Sequence, residues 1–162
     1  NSRYFSEQAQ KYDFDDFNLP SRKAYIYSVD NLISLDLAIS KTTKHLDIAI
    51  GTGRRAIRIR ELSGLNYEIV GVEISEEMCK IANSRGLRTY HQDWANTDTH
   101  TGEMFESATF LYAFGHIADR KNRIKSLKKI NSYLMDGSPF YLDLFSINNI
   151  ACLCSTLTTD PD

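Results

Sequence analysis

The sequence predicts an α/β fold, a mostly parallel sheet with helices on both faces, and three observations carry that prediction. From His45 onward short apolar runs alternate with helix-like segments, which is the rhythm of βαβ units. A glycine turn, Gly51-Thr52-Gly53, stands directly between the first apolar run and the first of those helices. An acidic residue, Glu73, ends the second run about twenty residues beyond Gly53, the distance at which a strand-end carboxylate meets a ligand held by such a loop.

Taken in order, residues 1–18 are polar and aromatic with no sustained period, and Pro20 and Ser21 then mark the start of a helix. Ile26, Val29, Ile33 and Leu37 recur at helical spacing and give it one apolar stripe. Strands are expected at 45–50, 67–73, 87–91, 107–112 and 139–145, and further helices at 54–62, 76–85 and 120–134. The last helix has Ile124, Leu127, Ile130 and Leu134 on one face, Asp119 as cap and Gly137 past its end. Arg120, Lys121, Arg123, Lys125, Lys128 and Lys129 occupy its other side; a solvated outer face is favoured there over an RNA-binding stripe. One domain is expected over 1–162, with 1–44 a helical and aromatic cover, 45–145 a cofactor-binding core and 146–162 a tail.

Composition narrows the function classes. With 162 residues and 42% hydrophobic content, the chain can bury roughly 70% of the surface its unfolded form exposes, around a single core. The formal net charge is -2, so no field of the whole molecule draws it to phosphate backbones, and nucleic-acid binding is not expected. No apolar run reaches the roughly 18 residues that span a bilayer, and the first residues lack the layout of a signal peptide; a soluble, cytoplasmic protein is expected. Cys79, Cys152 and Cys154 form neither a disulfide framework nor a four-ligand zinc spacing. His45, His91, His100 and His116 lack the spacing of a helical metal site, and no metal is expected.

The loop carries the chemistry. Glycines are required where a ligand approaches the backbone more closely than a Cβ permits, and exposed amides at a helix start favour electron-rich groups. As spelling, G-x-G-x-x-A is weak. Glu73 strengthens it, because a carboxylate at that place accepts both hydroxyl protons of a ribose lying across the strand ends. Together these features specify a nucleoside-containing cofactor and leave open which one. Three more bear on the choice. Asp47 lies inside the first strand, four residues before Gly51. Asp93-Trp94 follows the third strand, where a carboxylate can accept from an adenine amino group and a flat ring can cover its face. Seven of the chain's eighteen aromatic residues (Tyr4, Phe5, Tyr12, Phe14, Phe17, Tyr25 and Tyr27) fall in the first 27 positions.

At this point the chain resembles the class I S-adenosylmethionine-dependent methyltransferases, over most of its length. The resemblance runs through Leu46-Asp47-Ile48-Ala49-Ile50-Gly51-Thr52-Gly53-Arg54, Val70-Gly71-Val72-Glu73-Ile74-Ser75, Gln92-Asp93-Trp94, Phe114-Gly115-His116-Ile117 and Leu134-Met135-Asp136-Gly137-Ser138. Each match is loose alone; their order and distances are specific. The resemblance implies a Rossmann-like sheet with S-adenosylmethionine at the carboxyl ends of strands one and two. It implies that Gly51 and Gly53 face the cofactor's amino-acid part, Glu73 its ribose, and Asp93, Trp94 and Ile74 its adenine, with Thr52 and Asp47 also among the cofactor-binding residues. Tyr112, Ala113 and Phe114 are implied to sit beside the sulfonium and the acceptor, and the aromatic N-terminal segment to close the site. The chain departs from the family in carrying Ala49 where glycine is usual and Ile50 where a smaller or polar residue is usual. The family also normally continues through two further strands, so the fifth strand is expected either to pair with another copy or to belong to a longer polypeptide.

Plainer roles stand beside these. Glu73 could be an exposed strand-end charge, and Asp93-Trp94 a turn with a core anchor. Asp47, inside a buried strand, needs a hydrogen-bond partner whether or not it touches ligand, and is expected to brace the loop. His116 is either a general base or a loop histidine that fixes local structure. Tyr4 and Tyr12 either face a sulfonium or cover the core; Met78 and Cys79 read as core packing. The leading function is methyl transfer to a small-molecule acceptor. The alternatives are an NAD(P)-dependent oxidoreductase, which shares the loop and acidic strand end, and a non-catalytic binding subunit of the same fold.

Overall fold

The computed structural model describes residues 9, 13, 20–96 and 102–144. In chain order the elements are α1 (Pro20–Ser40), β1 (Lys44–Ile48), α2 (Arg54–Ser63), β2 (Glu68–Glu73), α3 (Glu76–Ser84), β3 (Arg88–His91), β4 (Ser107–Phe110), a 3-10 turn (Phe114–His116), α4 (Arg120–Tyr133) and β5 (Phe140–Leu142). The expectations placed on Tyr4, Phe5, Tyr12, Phe14, Phe17, Cys152, Cys154 and the tail lie outside the described residues.

The five strands form one sheet in the order β3-β2-β1-β4-β5, with every pairing parallel. Strand order reverses between β1 and β4, whose register sets Leu46 beside Ala108 and Ile48 beside Phe110. A reversal of this kind opens a crevice at the carboxyl ends of the strands, because the connections on its two sides leave in opposite directions. β5 closes one side of the sheet among the described residues.

Helices cover both faces, so the central strands are apolar on both sides. On one face Leu46, Ile48, Val70, Val72, Ala108 and Phe110 pack with Ile130 and Tyr133 of α4. On the other, Tyr67 and Ile69 pack with Ile33 and Leu37 of α1 and Ala56 and Ile59 of α2. The stripe expected on α1 is buried at Ile26, Ile33 and Leu37. Asp30, at the same helical spacing, is also fully buried; it is compensated by the Arg55 Nε at 2.6 Å and the Arg58 Nε at 3.3 Å.

Two expectations need correction. In α4 the buried residues are Ser126, Ile130 and Tyr133, whereas Ile124 and Leu127 are 40% and 37% exposed. The helix is turned so that Tyr133 meets Trp94, ring centroids 5.7 Å apart. Leu134 has already left it for extended backbone and bridges to Phe105. Gly137 therefore turns the chain beyond the helix, at φ 79°, instead of closing it. The second correction concerns strand ends: β1 stops at Ile48 and β4 at Phe110, two residues short of the expectation in each case. Ala49 and Tyr112 sit at φ 60° and 59°, in the left-handed region that no strand can propagate through.

Beneath α1 and α2 runs a buried polar string. His45 bonds the Ser107 hydroxyl through Nδ1 (2.7 Å) and the Thr109 hydroxyl through Nε2 (2.8 Å), and Thr109 Oγ1 donates to Asp47 Oδ1 at 2.9 Å. With its hydrogen committed to Asp47, Thr109 accepts from Nε2–H, which leaves Nδ1 to accept from Ser107. Burial holds the His45 imidazole down at about 3 and pushes the Asp47 carboxyl up to about 7, against the Thr109 hydrogen bond and the nearby Arg55 charge.

Candidate functional site

The crevice at the β1/β4 reversal holds a cavity of about 480 Å³. Its walls come from the strand ends and the loops that follow them: Ala49 and Gly51 after β1, Glu73 and Ile74 at β2, Gln92 to Asn96 after β3, Tyr112 and Ala113 after β4, and Asp119 and Asn122 at the start of α4.

Local sequence explains the shape. Gly51 adopts φ 58° and Gly53 φ 75°, the latter as the residue immediately before α2, conformations that a Cβ disfavours. A Cβ on Gly53 would also strike Leu87 and crowd Ala82 of α3, so this glycine serves helix packing. Ile50, in a position where the family prefers something smaller, is accommodated by Gly71 of β2: a Cβ there would lie 2.6 Å from the Ile50 Cγ2. Ala49 adopts left-handed backbone at φ 60°, its N–H donating to the Val72 carbonyl at 2.7 Å.

Glu73 is the electrostatic centre of the cavity wall. It is 5% exposed, and its carboxylate accepts from the Gly51 and Ser75 amides, each at 2.9 Å. Burial raises its pKa, and those amides with that of Ile74 oppose the rise. The bond from Gly51 ties the loop to the end of β2, and each carboxylate oxygen retains a further lone pair for a ligand. Gln92 adds a second acceptor, since its Oε1 is buried without a hydrogen-bond partner among the described residues. Asp93 accepts from the Ala95 amide at 3.0 Å and the Asn96 side chain at 2.8 Å.

Among the residues expected at the site, Gly51, Glu73, Ile74, Asp93, Trp94, Tyr112 and His116 all line the cavity. Trp94 is also a core anchor, 6% exposed, with the Lys129 Nζ 4.0 Å from its ring centroid. His116 is exposed on the rim. Phe114 is buried in the core, edge-on to Phe110 at 5.6 Å. Asp47 and Thr52 lie on a second, smaller chamber of about 50 Å³ behind the loop. There the Thr52 hydroxyl donates to Asp13 at 2.6 Å, and Arg85 spans both by donating to the Thr52 carbonyl at 2.8 Å and to Asp13 at 2.6 Å.

Sequence reasoning passed over Asn96 and Asn122 as cavity residues, quoted Gln92 and Ile117 only as parts of the resembling motifs and gave them no site role, and assigned Met78 to the core and Asp119 to capping alone. Asp119 does cap α4, accepting from the Lys121 and Asn122 amides at 3.2 and 3.1 Å. None of these carries a spacing signal, because they meet only when the loops converge.

The architecture is shared with solved methyltransferases. An S-adenosylmethionine-dependent methyltransferase from Clostridium acetobutylicum superposes with a TM-score of 0.72 at 21% identity, over 89% of this chain and 60% of that one. A sugar N-methyltransferase from a Streptoalloteichus species gives 0.61 at 18%, over 72% and 47%. A plantazolicin methyltransferase solved with SAH and a pentazolic analogue gives 0.62 at 18%, over 100% and 67%. At such identities the likeness is one of fold, and this chain spans 60% of the length of the first of them. No curated protein matches the chain. The methyltransferase domain family matches residues 46–137, more than half of the sequence and the stretch that supplies all the residues lining the cavity. The chain belongs to the methyltransferase domain family.

Proposed function

We propose that the chain binds S-adenosylmethionine in the cavity at the β1/β4 reversal and supports transfer of its methyl group to a small-molecule acceptor. The observation that carries this reading is the acceptor-rich wall formed by Glu73, Gln92 and Asp93. Such a wall suits a ligand that presents hydrogen-bond donors and positive charge, which describes a ribose diol, an adenine amino group and a sulfonium. Solved proteins of this fold include complexes with SAM and with SAH. The family match removes the ground for the nicotinamide alternative.

When bound, S-adenosylmethionine supplies an electrophilic methyl on a sulfonium leaving group, which reacts in line with a nucleophile. The residues have the remaining tasks. Glu73, fixed by two backbone amides, accepts the ribose hydroxyls; Asp93, fixed by Ala95 and Asn96, accepts the adenine amino protons; Ile74 and Ile117 give the ring apolar walls. Most of the rate then comes from orientation and exclusion of water. We assign to His116, which lines the cavity at its rim, the role of taking a proton from an acceptor that must lose one.

Calorimetric titration with S-adenosylhomocysteine, beside NAD, tests the reading. S-adenosylhomocysteine should bind and raise the melting temperature, and Glu73→Ala should weaken it by about 1.5–3 kcal/mol, roughly ten- to hundredfold. Binding of NAD alone, or unchanged affinity in a folded Glu73→Ala variant, refutes it.

A further inference from the structure

By spacing, Lys129 belongs with the solvated cations of α4, yet the structure half-buries it against Trp94. Its Nζ donates to the Trp94 carbonyl at 3.2 Å and stands 4.0 Å from the centroid of the indole. Trp94 lines the large cavity and Lys129 does not, so the ammonium holds the ring from behind the wall. The indole N–H does not orient the ring. It is buried without a hydrogen bond among the described residues, although a buried indole usually finds a partner. Orientation therefore falls to packing and to the ring contacts with Lys129 and with Tyr133, the latter at 5.7 Å.

The same ammonium acts on the backbone. The turn after β3 is tied to the sheet where the Gln92 amide donates to the Glu73 carbonyl at 2.8 Å, and it is closed within itself by Asp93, which accepts from Ala95 and Asn96. Between those points Lys129 takes the Trp94 carbonyl. It thus fixes both the ring and the peptide next to Asp93. Asn122, Lys129 and Tyr133 stand at i, i+7 and i+11 and share one face of α4; Asn122 lines the cavity, so one helix carries both a piece of the rim and the buttress of the wall. Side chains locked from outside a site keep it in the form that receives a ligand, whereas a loose wall must be ordered at the moment of binding. We propose that Lys129 is a positioning residue for the aromatic part of the ligand: it presets Trp94 and the 92–96 turn as the wall against which the adenine base lies, without touching the cofactor itself. The inference rests on the cofactor reading above.

Trp94 is the chain's single tryptophan, so its selectively excited emission reports on this wall alone. Calorimetry beside that emission tests the inference with two ligands, S-adenosylhomocysteine and 5′-methylthioadenosine, which shares the base and ribose but lacks the amino-acid end. Both should bind the wild-type chain and shift the Trp94 emission. Lys129→Met, which keeps the aliphatic stem and removes charge and donor, should weaken both ligands by about three- to tenfold, the cost of ordering a side chain on binding. It should also change the emission of the unliganded protein. Lys129→Arg, which returns a cation to the face of the ring, should restore affinity towards the wild type's. Should Lys129→Met fail to fold, Lys129→Gln, which keeps a donor for the carbonyl without a charge over the ring, replaces it with the same expectation. Wild-type affinity in the folded Met or Gln variant, even one that melts earlier, makes Lys129 a structural contact only and overturns the inference. So does an Arg variant as weak as these, or a loss confined to S-adenosylhomocysteine, which would place the effect away from the base. A wild-type chain that binds neither ligand refutes the cofactor reading itself, and one that binds both with unchanged Trp94 emission refutes only the role given to Trp94 and Lys129.

Discussion

Ala49 and Tyr112 illustrate how single residues shape the crevice. They follow adjacent parallel strands on the two sides of the order reversal, and each occupies left-handed backbone that L-residues avoid. Tyr112 is held there by Asp143, which accepts from its amide at 2.6 Å and from the Tyr25 hydroxyl at 2.8 Å. Burial and the Asp143 carboxylate both raise the pKa of Tyr25, so that phenol stays protonated and keeps donating. Ala49 is held instead by the backbone, its amide donating to the Val72 carbonyl of β2 at 2.7 Å. Strain of this kind gathers at functional sites, where the surrounding structure over-determines it. Relieving it should stabilise the fold: Ala49→Gly removes a left-handed penalty of about 1–2 kcal/mol and adds roughly 0.4–1 kcal/mol of unfolded-chain entropy. A net gain of about 0.5–1 kcal/mol is expected by urea denaturation. A loss of stability would show that the alanine methyl packs favourably where it stands.

At the scale of elements, the helix starts were legible because capping is local chemistry. Ser75 accepts from the Met78 amide at 3.3 Å and begins α3, and Asp119 begins α4 through two amides; both lie within three residues of their partners and can be read from a string of letters. Asp119→Ala should therefore cost about 1 kcal/mol, within the usual range of roughly 0.5–2 kcal/mol for a lost cap, and thermal unfolding followed by circular dichroism would measure it. An unchanged midpoint would mean that the cavity rim, and not the cap, is what Asp119 serves. The faces of helices were less legible. In α4 the apolar spacing pointed to Ile124 and Leu127, yet Ser126 and Tyr133 are buried in their stead. The contact with Trp94 decided the rotation, and Trp94 comes from another part of the chain.

For the molecule as a whole, the buried string of His45, Thr109 and Asp47 ties stability to pH through two opposed groups. Burial lowers the folded pKa of His45 to about 3. The unfolded chain then binds the extra proton, and His45 costs stability progressively as pH falls from about 6.5 towards 3. Burial raises the folded pKa of Asp47 to about 7. Here the folded chain holds the extra proton, and the contribution of Asp47 is present below about 4 and lost as pH rises towards 7. Between about pH 4 and 6.5 the two slopes cancel. Asp47→Asn should expose the histidine alone: relative to wild type, its unfolding free energy should climb with pH across that window, by at most about 1.4 kcal/mol per pH unit. Parallel curves for the two proteins, measured by urea denaturation at several pH values, would show that Asp47 titrates normally.

What the sequence by itself determined is whatever depends on neighbours along the chain. The alternation of strands and helices, the glycine loop, the acidic end of β2 and the caps follow from periodicity, backbone freedom and local hydrogen bonding, and they led to the family that matches residues 46–137. The tertiary structure alone decided what distant segments do to one another. It turned α4 towards Trp94 and fitted Ile50 against Gly71. It buried Asp30 of α1 against Arg55 of α2 and left two guanidinium nitrogens without a hydrogen bond among the described residues, beside a chamber that no spacing of letters describes. The physical reason is common to all of these. Burial and charge pairing are properties of enclosed space, and in a parallel sheet that space is enclosed by residues many positions apart.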